Sequence, residues 1–465
     1  MSCPYFGHRL KSQPIRVAHQ HHLATPDGQP YFWLGDTAWE LFHRLDRNEA
    51  THYLQSRAAQ GFNIIQAVAL YEIDPFEAPN AYGDFPLNDA DISSPAVTPG
   101  NDWRNPVEYD YYDHMEFIIC EAIKNQLILG LLPCWGEYVT PRFRDTTIVT
   151  KKQGYDFGWF IGSRFKSYND HIVWILGGDR LPDERKEGVD IWRAIAEGIT
   201  DAVNEEKGFN QVANYSKTFM TYHCYTSSSI WFHDDDWIDM HTWGSYHEKR
   251  DLDRSYKIAL KDWQLNDPKP TLNSEPAYEM LPINYDWERV AKGRFDDFDV
   301  RQQAYWSVFS GACGHTYGCN PVWQMYKKEN PHLPLTASNS LEWHEALYAG
   351  GAQQMKYLKE LMLSAPDFFN RKPITDLVEN NAGDSTGYVV SCGTPEYCWI
   401  YIPTGKLVKI KPEKIPFENI VAYWYSPFDG SKTKIGEYEK TEDLIFDPPG
   451  PTNRGNDWVL ILESE

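Results

Sequence analysis

The stretch IVWILGGDRLPDE, Ile172–Glu184, decides the fold. Five large apolar residues run into two glycines, and an acid, Asp179, stands where the apolar run stops. A short apolar run bounded by turn residues has the pattern of a strand buried on both faces. The question it raises is what a carboxylate does at the mouth of a buried strand, and whether a second one is there to work with it.

Working outward, apolar runs and amphipathic stretches alternate. A turn at Asp27-Gly28 precedes a first strand, Tyr31 to Leu34. RNEATHYLQSRAAQG reads as a helix closed by Gly61, and FNIIQAVAL as a second strand ending at Leu70. Asp113 is placed to cap a helix running to Asn125, before LILGLLP as a third strand. IVWILGG is the fourth. After a helix near Val189 to Glu205 come FMTYH and WIDMHTW as the fifth and sixth, PTLNSEP as the seventh and GHTYG as the eighth. SLEWHEALYAGGAQQMKYLKELML reads as a long closing helix. Eight strand and helix units in order predict an α/β fold, a (β/α)8 TIM barrel. The glycine-rich phosphate fingerprint of a dinucleotide fold is missing after the first strand.

Past SAPDFFNRKP the period becomes two-fold: GYVVSCG, YCWIYIP, KLVKI, NIVAYWYS, DLIFDPPG and DWVLILE. Short strands spaced by Gly, Pro and charged turns predict a small C-terminal β-sandwich. The expected division is a barrel over residues 1–369 and a sandwich over 370–465, the latter buttressing the barrel.

With 465 residues the chain has room for one large core and a smaller partner. Its formal charge is −22, from 66 acidic against 44 basic residues, a field that repels nucleic acid and anionic membranes. The aromatic content is 15%, with 18 Trp and 29 Tyr; flat rings with polar edges stack on the C–H faces of sugars. The eight cysteines have no Cys-x-x-Cys and no regular spacing, so neither a zinc knuckle nor a disulfide framework is expected. MSCPYFGHRLKSQPIRV has no apolar leader core, so the chain as given reads as cytoplasmic, or as periplasmic or secreted if a leader has been removed.

In such a barrel the active site lies at the carboxyl ends of the strands. Two acids satisfy this position, Asp179 after the fourth strand and Glu275 after the seventh. Strands four and seven stand across an eight-stranded barrel from one another. Two carboxylates about 5 to 5.5 Å apart make a retaining glycosidase, in which Glu275 is the nucleophile and Asp179 the acid and then the base; a gap of roughly 6.5 to 9.5 Å implies inversion. The structural alternatives are that Asp179 caps the next helix, where Asp183 is an equally good candidate, and that Glu275 sits in a surface ion pair.

Secondary candidates for substrate binding are Asp36 and Trp39 after strand one, with helix capping the alternative for Asp36. Trp135, Trp243, Tyr278 and Trp323 follow strands three, six, seven and eight, as stacking rings or as packing. His223, His241 and His315 lie near strand ends, as partners of the nucleophile or a hydroxyl, or as structural histidines.

YFWLGDTAWELFHRLDRNEATHYLQSRAAQGFNIIQAVAL, GGDR, EPAYE and the tail FDPPG with DWVLIL resemble the apiosidase-like glycoside hydrolases, a barrel followed by a domain labelled as collagen-binding. The resemblance covers nearly the whole chain. It implies that the family's acid/base aspartate falls on Asp179 and its nucleophile on Glu275, and that the activity is hydrolysis of the link joining apiose to the side chains of the pectin rhamnogalacturonan II. The leading expectation is a retaining exo-glycosidase acting on a plant-type glycan, with no metal and no cofactor. Most barrel relatives of the wider clan place Asn before a Glu acid; Gly178 and Asp179 stand there in this chain, so the contact that Asn makes to the sugar 2-hydroxyl is unassigned.

Two other functions fit parts of the pattern. HQHH, His19 to His22, with His223 and His241 imitates the ligand set of a metal-dependent amidohydrolase barrel, although it precedes the first strand. A non-catalytic glycan-binding protein is the other, since barrels host many functions.

Overall fold

The computed structural model describes residues 15–71, 79–141, 148, 150–206, 208–329, 341–381, 386–441 and 443–465. Most of the amino-terminal segment read for a leader, and Cys3 with it, lies outside the described residues. None of the seven described cysteines forms a disulfide. Among the described residues no helix is long and apolar enough to cross a membrane.

Eight parallel strands form a closed barrel: β1 (Trp33–Thr37), β2 (Ile64–Val68), β3 (Ile128–Leu132), β4 (Ile172–Gly177), β5 (Met220–His223), β6 (Met240–Gly244), β7 (Thr271–Glu275) and β8 (Gly314–Tyr317). Every residue in them is buried, and β3 and β4 accordingly read as unbroken apolar runs, while β1, β5, β7 and β8 bury polar residues as well. The turn at Asp27-Gly28 closes a hairpin in which Leu23 pairs with Tyr31 and Ala24 with Pro30. That hairpin uses Tyr31, so the first barrel strand starts later than the sequence suggests and extends through Asp36.

The chain divides into two compact units. One holds residues 1–16, 35–243 and 320–347, the other 17–34, 244–319 and 348–465. In the first, β2 to β6 pair in register with neighbours in chain order. Helix Arg47–Ala59 is started by a capping box between Asp46 and Glu49, and Gly61 follows its end at φ 91°. Helix Tyr111–Lys124 is capped by Asp110, one turn earlier than expected; Asp113 is the acid that answers it from the third helical position.

In the second unit β7 pairs with β8, and helix Asp297–Phe309 carries the C-terminal sheets. Tyr305 stacks on Tyr401 at 4.7 Å, the Trp306 indole N–H donates to the Tyr388 carbonyl, and Arg301 makes a buried two-pronged ion pair with Asp457. These ties explain why backbone packing groups the sandwich with the last two barrel strands, whereas the sequence pattern divides at residue 369. The larger C-terminal sheet has six strands, β9 (Lys372–Pro373), β10 (Val390–Thr394), β11 (Tyr397–Ile402), β16 (Trp458–Ser464), β13 (Asn419–Tyr425) and β14 (Lys432–Glu439) in spatial order. A second, two-stranded sheet pairs β12 (Val408–Lys409) with β15 (Ile445–Phe446). Ile400, Ile402, Ile420, Trp424, Phe446, Leu460 and Leu462 share the core between them. The closing helix is two helices, Trp343–Ala346 and Gly350–Leu363, broken where Ala349 and two glycines follow.

Candidate active site

Asp179 sits on a backbone that few residues adopt. Gly177, Gly178 and Asp179 have φ of 89°, 132° and 35° in succession. The two glycines are dictated by space as well as by φ. A Cβ on Gly177 would stand 2.3 Å from the His223 carbonyl oxygen, and one on Gly178 would stand 2.5 Å from the Trp135 ring. Aspartate is among the few non-glycine residues that tolerate the left-handed region. The helix that follows begins at Gly188 with Glu187 before it, so neither Asp179 nor Asp183 is its cap. The Asp179 carboxylate Oδ1 lies 3.8 Å from Nε2 of His223, at the end of β5, and the Gly178 amide donates to the His223 carbonyl at 2.8 Å.

Around this acid the first unit gathers rings from five strand ends. Trp39 and Trp135 meet at 5.2 Å, both contact His223 at 5.4 and 5.5 Å, and Tyr71 bridges Trp135 at 5.2 Å and Trp323 at 6.3 Å. Trp39, Trp135, His223 and Trp323 are thus brought together as their positions after the strands predicted. Tyr71, just past the end of β2, was not anticipated; its signal was the position one residue beyond the apolar run.

Glu275 ends β7 and is buried. His247 Nε2 lies 3.2 Å from its Oε1, and His247 Nδ1 accepts the Tyr278 amide N–H at 3.3 Å. Because Nδ1 accepts, the ring proton is on Nε2 and is donated to the carboxylate. The Tyr278 ring lies 4.4 Å from that imidazole. Gln303 accepts from the Ser245 hydroxyl and the Ala277 amide, tying the segment before His247 to the one after Glu275. Glu279, the other acid of EPAYE, accepts from the Tyr317 hydroxyl at 2.5 Å and from the Gly351 amide, a packing role. The surface ion pair weighed for Glu275 is replaced by a buried hydrogen bond.

Other candidates are corrected. Asp36 caps no helix: it lies inside β1, fully buried, and accepts from Arg57 Nε at 2.7 Å and the Tyr53 hydroxyl at 2.5 Å. Burial raises its carboxyl above the ordinary range against the pull of Arg57 and Tyr53. His241 bonds Ser228 at 3.2 Å and His233 at 3.1 Å on the helical segment after β5. His315, wholly buried in β8, stands in register with Asn273 of β7. Burial lowers its pKa to about 3. Trp243 is wholly buried within β6. Of the metal-ligand pattern, His21 stacks on Trp263 at 3.5 Å and His22 is buried beside Phe368, so packing accounts for both.

Asp179 just past β4 and Glu275 at the end of β7 of a closed parallel barrel hold the positions expected of a glycoside hydrolase's carboxylates. The family model for the apiosidase-like catalytic domain matches residues 18–369, and one named for a collagen-binding domain of a collagenase matches 373–463. A solved structure described as a glycoside hydrolase is 28% identical, with a TM-score of 0.84, and the match covers 100% of this chain and 99% of that one. A glycoside hydrolase family 5 structure from Bacteroides vulgatus is also 28% identical, with a TM-score of 0.83, over 100% of this chain and 94% of that one. No curated protein matches the sequence. The chain belongs to the apiosidase-like family of glycoside hydrolases.

Proposed function

We propose that the enzyme is a retaining exo-glycosidase that releases apiose from a pectic side chain, with Glu275 as nucleophile and Asp179 as acid and base. The observation that carries this reading is topological. Both acids end strands of one parallel barrel, the fourth and the seventh, so both belong to the rim at which barrel enzymes build their active sites. In the first step the Glu275 carboxylate attacks the anomeric carbon, the bond to the leaving oxygen breaks, and Asp179 gives that oxygen its proton. In the second, Asp179 takes a proton from water, the water oxygen attacks the anomeric carbon, and the ester to Glu275 breaks.

His247 supports the nucleophile by directing one N–H at its Oε1, which fixes the orientation of the carboxylate. Trp39 and Trp135 are buried and pack against His223, and Trp323, the least buried of the three indoles at 7% exposure, is the ring we propose to meet a terminal sugar. The apiose assignment draws on the family named above, and a neutral branched sugar is compatible with a chain whose net charge is −22.

The test is a pair of variants. Glu275→Gln abolishes turnover of a rhamnogalacturonan II oligosaccharide with the melting temperature intact. Asp179→Asn loses activity on that substrate but keeps most of its kcat/KM on a dinitrophenyl glycoside, whose departure needs no proton, while kcat falls because the base of the second step is gone. Normal turnover by Glu275→Gln disposes of the proposal.

A further inference from the structure

We propose that the buried ion pair between Glu137 and Arg180 is the positioning device that holds Asp179 in its working orientation; this rests on Asp179 being the acid. Three consecutive residues, 177 to 179, run through positive φ, and only the first two are glycines. Asp179 is the one of the three with a side chain, at φ 35°, a conformation aspartate tolerates and its surroundings hold in place. The next residue supplies the constraint. Arg180 directs both Nε and Nη2 at the same oxygen of Glu137, each at 2.9 Å, and the two side chains are 9% and 1% exposed. The Arg180 amide turns back to the Gly178 carbonyl, which makes Asp179 the middle residue of a tight three-residue turn.

The partner loop is locked to the same place. Glu137 lies in the single turn Gly136–Tyr138 after β3, and a Cβ on Gly136 would stand 2.0 Å from the Gly178 carbonyl oxygen. The loops after β3 and β4 therefore meet backbone to backbone, and the ion pair is the charged bolt beside that contact. A carboxylate and a guanidinium taken out of water are retained here at a desolvation cost, which is better explained by the orientation they impose than by net stability. Turned this way, Asp179 faces His223. Glu137 and Arg180 are positioning residues, acting through Asp179.

The experiment compares Arg180→Lys and Glu137→Gln with the wild type in the full chain, using phenyl and 2,4-dinitrophenyl apiosides. Each variant is also crystallised. Phenolate departs only with a proton from the acid, whereas dinitrophenolate departs without one. The expected result is a fall in kcat/KM of about 100-fold or more on the phenyl glycoside and less than about 3-fold on the dinitrophenyl one, a split that a general loss of structure would not produce. In the variant crystals Asp179 leaves the left-handed region and its carboxylate moves away from His223. Equal losses on the two glycosides with Asp179 unmoved overturn the proposal, and one variant that folds suffices. If Asp179 moves in the variants while wild-type enzyme hydrolyses neither glycoside, the positioning role stands and the apiosidase reading fails.

Discussion

Nε2 of His247 donates to the carboxylate of Glu275 across 3.2 Å, and the tautomer that allows this is fixed by the Tyr278 amide on the opposite ring nitrogen. Replacing His247 by Ala removes the donor and lets the carboxylate rotate. We expect kcat to fall by about 100-fold, about 2.7 kcal/mol of barrel-rim preorganisation, with KM little changed. His247→Gln, which can present an N–H at a similar reach, recovers part of the loss. Steady-state kinetics decide; equal activity of His247→Ala and wild type would show that the contact is packing alone.

Asp36 and Arg57 form a fully buried pair in which Arg57 also donates to the Leu347 carbonyl. Arg57→Met strands the Asp36 carboxylate, and breaking such a pair costs about 3 to 5 kcal/mol. Thermal melting should show a large loss of stability, with turnover per folded molecule preserved. If Asp36 held substrate instead, Asp36→Asn would raise KM and leave melting untouched.

The sandwich cannot be removed cleanly. Tyr305, Trp306 and Arg301 on a barrel helix lose Tyr401, the Tyr388 carbonyl and Asp457 if residues 373–465 are deleted. The truncated chain is expected to aggregate on expression. A soluble, active truncated barrel would refute the buttressing role.

Low pH destabilises the fold through buried neutral histidines. Burial holds His315 at about 3 and His114 at about 4. Each therefore binds a proton in the unfolded chain, below the ordinary histidine value near 6.5, before it does so in the folded one. Stability is complete above that value and falls as pH drops from about 6.5 towards 3, by about 1.4 kcal/mol per unit for each such histidine. Melting temperatures measured from pH 7.5 to 4.5 should fall, and His315→Gln should make the slope shallower by one proton. An unchanged slope in that variant would show that His315 is not among the groups responsible.

Much of this fold was legible because strands such as β3 and β4 are buried on both faces and stand out as apolar runs, from which the alternation of strands and helices could be followed. β14 was missed for the opposite reason: KTKIGEYE is an edge strand facing water, with no apolar alternation to detect. Position after a strand singled out Asp179, Trp39 and Trp135, which the structure does place just past strand ends. Asp36, His241 and His315 instead lie within strands, because the runs continue through polar residues such as Gly-Asp-Thr in β1 and the strand ends are not marked by a change in polarity. His247, Glu137 and Arg180 were missed because they act through another side chain, and pairing across loops leaves no trace in spacing.

The most direct test of the central claim is peptide mapping by mass spectrometry after incubation with a 2,4-dinitrophenyl 2-deoxy-2-fluoro-apioside, which forms a glycosyl ester quickly and releases it slowly. The account predicts one added sugar on the peptide containing Glu275, with the ester on that residue and not on Glu279. Steady turnover with no adduct, or an ester on any other carboxylate, would contradict it.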